Sequence, residues 1–151
     1  MNIFILHENA ITSAEMHCDK HLSKLAVEAA QMMSEAAYRH GATPEQMPLT
    51  KAGNPYRGGH PHHPCTRWAG DTRDNYEWLA SYGLALCNEY TLRYGKVHAC
   101  EEPIMILWKL CGLIPEGEMT PFAQAMPDEH KHEDVVKAYR SYYHTKTFAK
   151  W

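Results

Sequence analysis

The stretch "HCDKHLSKLAVEAAQ", His17 to Gln31, sets His17 and His21 one helical turn apart and follows them with Lys24 and Glu28 at later turns. Several chemistries use such residues. Two imidazoles at i and i+4 can bind one ion from a shared helix face. The zinc-protease pattern HExxH adds a glutamate that activates water, but here Cys18 occupies that place. Lys24 and Glu28 at i,i+4 form, on an exposed helix, an ion pair worth only about 0.2–0.5 kcal/mol. If a loop covers and partly desolvates them, their pKa values move toward the range useful for proton transfer or amine attack.

The covering loop is present in the sequence. Residues 42–71 carry five prolines and four glycines, have neither helical nor strand period, and include "NPYRGGHPHHPCTRW". Loops this long inside a compact fold are more often functional than idle. Folded onto the helix, they would bring His60 and His63 (with His62 and Cys65) to His17 and His21 as a ligand set for Zn or Fe. A third pattern is cations among rings. Arg57, Arg67, Trp68, Arg73, Tyr76 and Trp78 are followed near the C-terminus by Arg140, Lys146, Lys150 and Trp151 among Tyr142, Tyr143 and Phe148. Phosphate contacts beside stacking platforms suit a nucleic acid or nucleotide. Aromatics at helical spacing equally suit a core, and Tyr139 and Tyr142 fit that reading.

The elements that position these groups are mainly helical. Ile3–Leu6 reads as extended, without a partner strand. Thr12 and Glu15 have the form of a capping box, opening a helix that runs to about Arg39, with a bend near Cys18–Asp19 and Gly41 as its stop. Projected at 100° per residue, Leu22, Leu25, Ala26, Ala29, Met32 and Met33 share an apolar face. His17, Lys20, His21, Lys24, Glu28 and Gln31 share the opposite stripe. A central helix runs from Asp71 or Thr72 to Gly95. A third follows "EEPIMILWKLCG", with Pro103 in its first turn, and a last one covers "EDVVKAYRSYYHTKTF". The expected fold is a compact single-domain α-helical bundle over 1–151, with about four helices and one long His/Pro/Gly-rich loop.

Composition narrows the classes. The chain of 151 residues has 44% hydrophobic and 22% charged residues, ordinary for a globular protein. Fifteen basic against eighteen acidic side chains give −3, so nucleic-acid binding requires a local cationic patch. Five cysteines with no CxxC pair read as reduced thiols in a cytoplasmic protein. "MNIFILHENA" lacks the basic start of a signal peptide, and no run spans a membrane.

"HCDKHLSKLAVEAAQMMSEA", "HHPCTRWAGDTRDNYEWL", "NEYTLRYGKVH" and "AMPDEHKHEDVVKAYRSYY" together resemble a family of small tailed-phage proteins. That group is similar in turn to the pyrimidine-dimer DNA glycosylases of the phage endonuclease V type. The resemblance implies an all-α enzyme of DNA or nucleotide metabolism in the infected host cell. Such an enzyme cleaves the glycosylic bond of a photodimer and then the DNA backbone, without a cofactor. Its nucleophile is an N-terminal amine and its acid–base group a glutamate on an early helix, the place Glu28 holds here. His17 or His21 resembles the histidine preceding that glutamate. The family's amine belongs to a small residue exposed by removal of the initiator methionine, a removal that bulky Asn2 disfavours. The amine is therefore expected from Lys24 or from Met1. His21 and His63 would orient substrate; Arg67, Arg73 and Arg93 would contact phosphate; Trp68 and Tyr76 would stack; Gln31, Asn54, Tyr56 and Asn75 would complete the binding surface. Two further readings use the same scaffold: a metal enzyme on His17, His21, His60 and His63, and a non-enzymatic phage protein that binds a host protein or a nucleotide signal.

Overall fold

A computed structural model describes residues 1–151. Six helices form the fold: α1 (Ala10–Glu15), α2 (Asp19–Arg39), α3 (Pro64–Asp71), α4 (Arg73–Tyr94), α5 (Glu101–Trp108) and α6 (Val135–Tyr143). There is no strand; Leu49 and Pro55 form one isolated bridge. No helix is long and apolar enough to cross a membrane.

The mainly α-helical expectation holds, with two more helices than foreseen. The first comes from a break. Asn9, not Thr12, caps α1: its side chain accepts from Thr12 N at 3.0 Å. The chain then leaves the helix at Met16 and restarts at Cys18, so the long helix is two. Arg93 of α4 holds the break together. It donates to the Glu15 and His17 carbonyls at 3.1 and 2.9 Å and pairs with Asp19 and Glu89 at 2.9 and 3.0 Å. It thereby satisfies carbonyls that a helix end leaves without partners. The second extra helix, α3, lies inside the stretch expected to be loop. Pro64 suits its first turn, and His63 caps it by accepting from Cys65 N.

α4 is the hub, packing on α1, α2, α3 and α5. Thr72 caps it, and Gly95 ends it at φ +69°. The apolar face of α2 is buried as its spacing predicts, from Leu22 through Met33. Ile3–Leu6 crosses this core without regular secondary structure, each residue at most 6% exposed. Phe4 at φ +55° takes it out of the extended conformation that its sequence predicts. A buried irregular segment needs partners for its amides and carbonyls. Here side chains supply them. Asn2 Oδ1 accepts from Ile3 N and Phe4 N, Tyr82 donates to the Ile3 carbonyl, Ser13 Oγ accepts from Leu6 N, and Arg140 donates to the Leu6 carbonyl.

The long loop folds back onto α2. Tyr38 donates to the Tyr56 carbonyl at 2.6 Å, and Gly59 N donates to Glu35 Oε2 at 3.1 Å. Gly58 lies so close to Glu35 that a Cβ there would stand 2.8 Å from its backbone nitrogen, at a φ of +76°. Both the contact and the dihedral demand glycine. Gly58→Ala is expected to cost well over 1 kcal/mol in urea unfolding and to make residues 50–60 more susceptible to limited proteolysis. Unchanged stability would show that the loop is not held at this point.

Candidate active site

Glu28 lies on the polar stripe of α2, two turns past His21, and is only 8% exposed. It faces the start of the chain. Asn2 N donates to Glu28 Oε2 at 2.9 Å, and the Met1 ammonium stands 3.7 Å from Oε1. The residues ahead of the buried segment Ile3–Leu6 thus present an amine to a buried carboxylate. A cavity of about 220 Å³ opens there, lined by Met1, His21, Lys24, Glu28, Lys146 and Phe148 among others. The larger cavity next to it, about 490 Å³, shares Lys146 and is walled by Arg140, Tyr143 and Trp151.

Cations rim the carboxylate. Lys20, Lys24 and Lys146 take part in no salt bridge. Lys146 Nζ sits over the Tyr142 ring at 4.1 Å and the Phe4 ring at 5.5 Å, and Lys20 over Phe148 at 5.0 Å. Such contacts hold a cation at a surface without cancelling its charge. Although the chain carries −3 overall, this face has a local cationic rim.

The two histidines of the opening motif part company. His17 is fully buried; its Nδ1 lies 2.6 Å from the Ser13 carbonyl and its Nε2 3.1 Å from the Tyr82 hydroxyl. Because a carbonyl only accepts, Nδ1 carries the proton. Burial pushes its pKa down to about 3. His21 lies in the cavity wall between the Phe4, Tyr143 and Phe148 rings, and its Nδ1 has no hydrogen-bond partner in the protein. Burial, then Lys24 and Lys146, push its pKa down to about 4, so it is neutral near pH 7. His63 lies against the amino terminus from the other side. Burial and then the terminal charge hold its pKa low, with Glu28 and the Met1 carbonyl opposing.

His17, His21, His60 and His63 do not converge as the expected ligand set. His17 has both ring nitrogens engaged inside the core, His60 is exposed, and His63 Nδ1 accepts from Cys65 N at 3.1 Å. No group of three or more His, Cys, Asp or Glu side chains is placed to hold a metal ion.

Several expected substrate contacts prove to be structural. Trp68, Asn75 and Tyr76 are at most 3% exposed. Asn75 bonds Thr120 and the Trp68 carbonyl, Trp68 the Thr120 carbonyl, and Tyr76 the Leu107 carbonyl. Arg73 donates to the carbonyls of Cys111, Gly112 and Ile114 and pairs with Glu116. Arg93 is the clamp on the helix break. Their guanidinium groups are occupied by carbonyls that helix ends leave open, which removes them from a substrate surface. Arg67 stays exposed, beside a separate cavity of about 240 Å³ with Glu35 and Arg39. Gln31 and Tyr56 line another of about 210 Å³ with Arg57, while Asn54 is exposed on the turn closed by Thr50. Of the expected catalytic residues, the structure gathers Glu28, Lys24, His21 and His63 around the amine of Met1. Asn2, Phe4, Lys146 and Phe148 join them. Only the clustering of cations and rings near the C-terminus hinted at the last two.

A sequence profile of the pyrimidine dimer DNA glycosylases matches residues 1–102. That range holds Met1, Asn2, His21, Lys24, Glu28 and His63, whereas Lys146 and Phe148 lie beyond it. No curated protein and no solved structure matches the chain.

Burial of two neutral histidines makes stability depend on pH. In the unfolded chain each titrates near 6.5; in the native protein each stays neutral to about 4 or lower. Below pH 6.5 unfolding takes up protons, so stability present above that pH is lost on acidification. Urea unfolding at pH 5 should show a loss on the order of 2–4 kcal/mol relative to pH 7. His17→Gln should roughly halve this dependence. A flat profile between pH 7 and 5 would contradict the burial of both rings.

Proposed function

The chain belongs to the pyrimidine dimer DNA glycosylase family, and we propose that it is a phage-encoded glycosylase with lyase activity, using the Met1 amine as nucleophile and Glu28 as acid–base group. The observation that carries this reading is the amine 3.7 Å from a buried carboxylate, at the floor of a cavity rimmed by unpaired lysines. Lys24 lines the same cavity but is exposed, and its ammonium has no carboxylate partner to accept a proton.

The steps follow from this placement. Glu28 Oε1 takes a proton from the Met1 ammonium, and the freed lone pair attacks C1′ of the damaged nucleotide. The C1′–N1 bond breaks with its electron pair going to the pyrimidine, which takes the proton that the attached nitrogen, now a secondary ammonium, gives up to regain its lone pair. The protonated Glu28 then delivers its proton to O4′ as the C1′–O4′ bond opens, and the nitrogen lone pair forms the C1′ iminium. Glu28, again a carboxylate, removes a proton from C2′; the electrons form the C2′–C3′ double bond, and the 3′-phosphate departs. Water then hydrolyses the imine and frees the amine. Lys24, Lys146 and Lys20 suit contacts with the strand's phosphates. Neutral His21, with its unpartnered Nδ1, and His63 suit orientation of the sugar or base.

UV-irradiated duplex treated with the protein and borohydride should give a covalent adduct. Glu28→Gln should lower its rate of formation by roughly 10²–10⁴-fold. No adduct with the native chain, or full activity in Glu28→Gln, would overturn this mechanism.

A further inference from the structure

We infer that Asn2 is a positioning residue, anchored by the C-terminal third of the chain, which orients Glu28 and aims a retained Met1 amine at the substrate. This rests on the functional reading above and goes beyond it. A family that reacts through the residue uncovered by loss of methionine would use residue 2 as nucleophile; here residue 2 is built as an anchor.

The amide nitrogen and both side-chain polar atoms of Asn2 are engaged, and the residue is 8% exposed. Its N–H holds Glu28 Oε2 at 2.9 Å. Its Oδ1 accepts from Ile3 N at 2.7 Å and Phe4 N at 3.2 Å, a side-chain-closed turn of the kind asparagine favours. Phe4 sits inside this turn at φ +55°, a conformation costly for an aromatic residue, so the turn is specified by its surroundings. Asn2 Nδ2 donates to the Ala125 carbonyl at 2.7 Å. That carbonyl is itself fixed: Ala125 N donates to the Tyr139 hydroxyl at 3.2 Å, which donates to the Ala123 carbonyl at 2.7 Å. A continuous path of hydrogen bonds thus runs from α6 through residues 123–125 and Asn2 to Glu28.

The consequence is a division of labour between the carboxylate oxygens. Oε2 is taken by the Asn2 amide, leaving Oε1 for the amine and its proton. Met1 is the first residue beyond the anchor, and it lines the cavity. Were Met1 lost, the amine of Asn2 would be bound to Glu28, and its side chain would be tied to Ala125 and unable to follow a sugar carbon. Charged and titratable groups around the Met1 amine are Lys24, Glu28 and His21 from α2, His63 ahead of α3, Cys65 within α3, Tyr142 of α6 and Lys146 after it.

Asn2→Asp and Tyr139→Phe test this on the full chain, with single-turnover adduct formation on UV-irradiated duplex as readout. Asn2→Asp keeps the acceptor for Ile3 and Phe4, loses the donor to Ala125 and adds a carboxylate beside the amine. It should slow the covalent step by about 10- to 100-fold with KM within about twofold. It should also move the acid limb of the pH profile up by about one unit. Tyr139→Phe, remote from the cavity, should slow the step several-fold without moving the limb, and the double variant should be no slower than Asn2→Asp alone. Intact mass of the active protein should include Met1. Wild-type rates and an unmoved limb in Asn2→Asp, or additive losses in the double variant, would overturn the inference. So would an active protein lacking Met1. If Asn2→Asp fails to fold, Tyr139→Phe and the intact mass decide it. A wild-type chain that forms no adduct at all would instead overturn the functional reading itself, and the inference with it.

Discussion

A carboxylate with little access to water is costly unless charge and hydrogen bonds compensate it. Glu28 is such a group, and the first two residues of the chain compensate it: the Asn2 amide on one oxygen and the Met1 ammonium near the other. For them to arrive there, the segment behind them has to cross the core. Ile3–Leu6 does so as a buried, irregular segment, and the surrounding helices are fitted with side chains that satisfy its backbone. Ser13, Tyr82 and Arg140 each give a polar atom to this segment. Helices α1, α4 and α6 are in this sense arranged around the delivery of one amine.

The electrostatic setting follows from the same arrangement. His17 and His21 flank this segment, and burial keeps both neutral, so neither competes with the amine as the positive partner of Glu28. The charges that remain are lysines at the rim, without carboxylates and lying on aromatic faces. In the proposed reading, a duplex approaching this face meets cations first and the amine beneath them, despite the net negative charge. Phosphate contacts of this kind place a strand without reading its sequence, which suits an enzyme that must find damage in any context.

Parts of this were legible in the sequence. Helical spacing correctly put His21, Lys24, Glu28 and Gln31 on one stripe and Leu22 to Met33 in the core. The same projection placed His17 on that stripe. It failed because it was carried straight through the bend expected near Cys18–Asp19, where the helix in fact breaks and turns His17 inward. The partner that fixes this break is Arg93, 74 residues away from Asp19, and spacing cannot reveal such a partner. Trp68, Tyr76, Asn75 and Arg73 looked like binding residues because cations and rings cluster there. Their polar atoms instead meet partners in Leu107, Thr120 and the turn at Cys111–Ile114, contacts that only the tertiary fold supplies. The amine beside Glu28 came from family resemblance alone. No periodicity links residues 1 and 28.

The central claim is that the nucleophile is the amine of Met1, on a buried carboxylate, and not Lys24 on the open side of the same cavity. Tandem mass spectrometry of the borohydride-reduced adduct, digested with trypsin, separates the two. The account predicts the sugar remnant on the α-nitrogen of the peptide that begins with Met1 and ends at Lys20. A remnant on Lys24, or on a peptide that begins at Asn2, would contradict it.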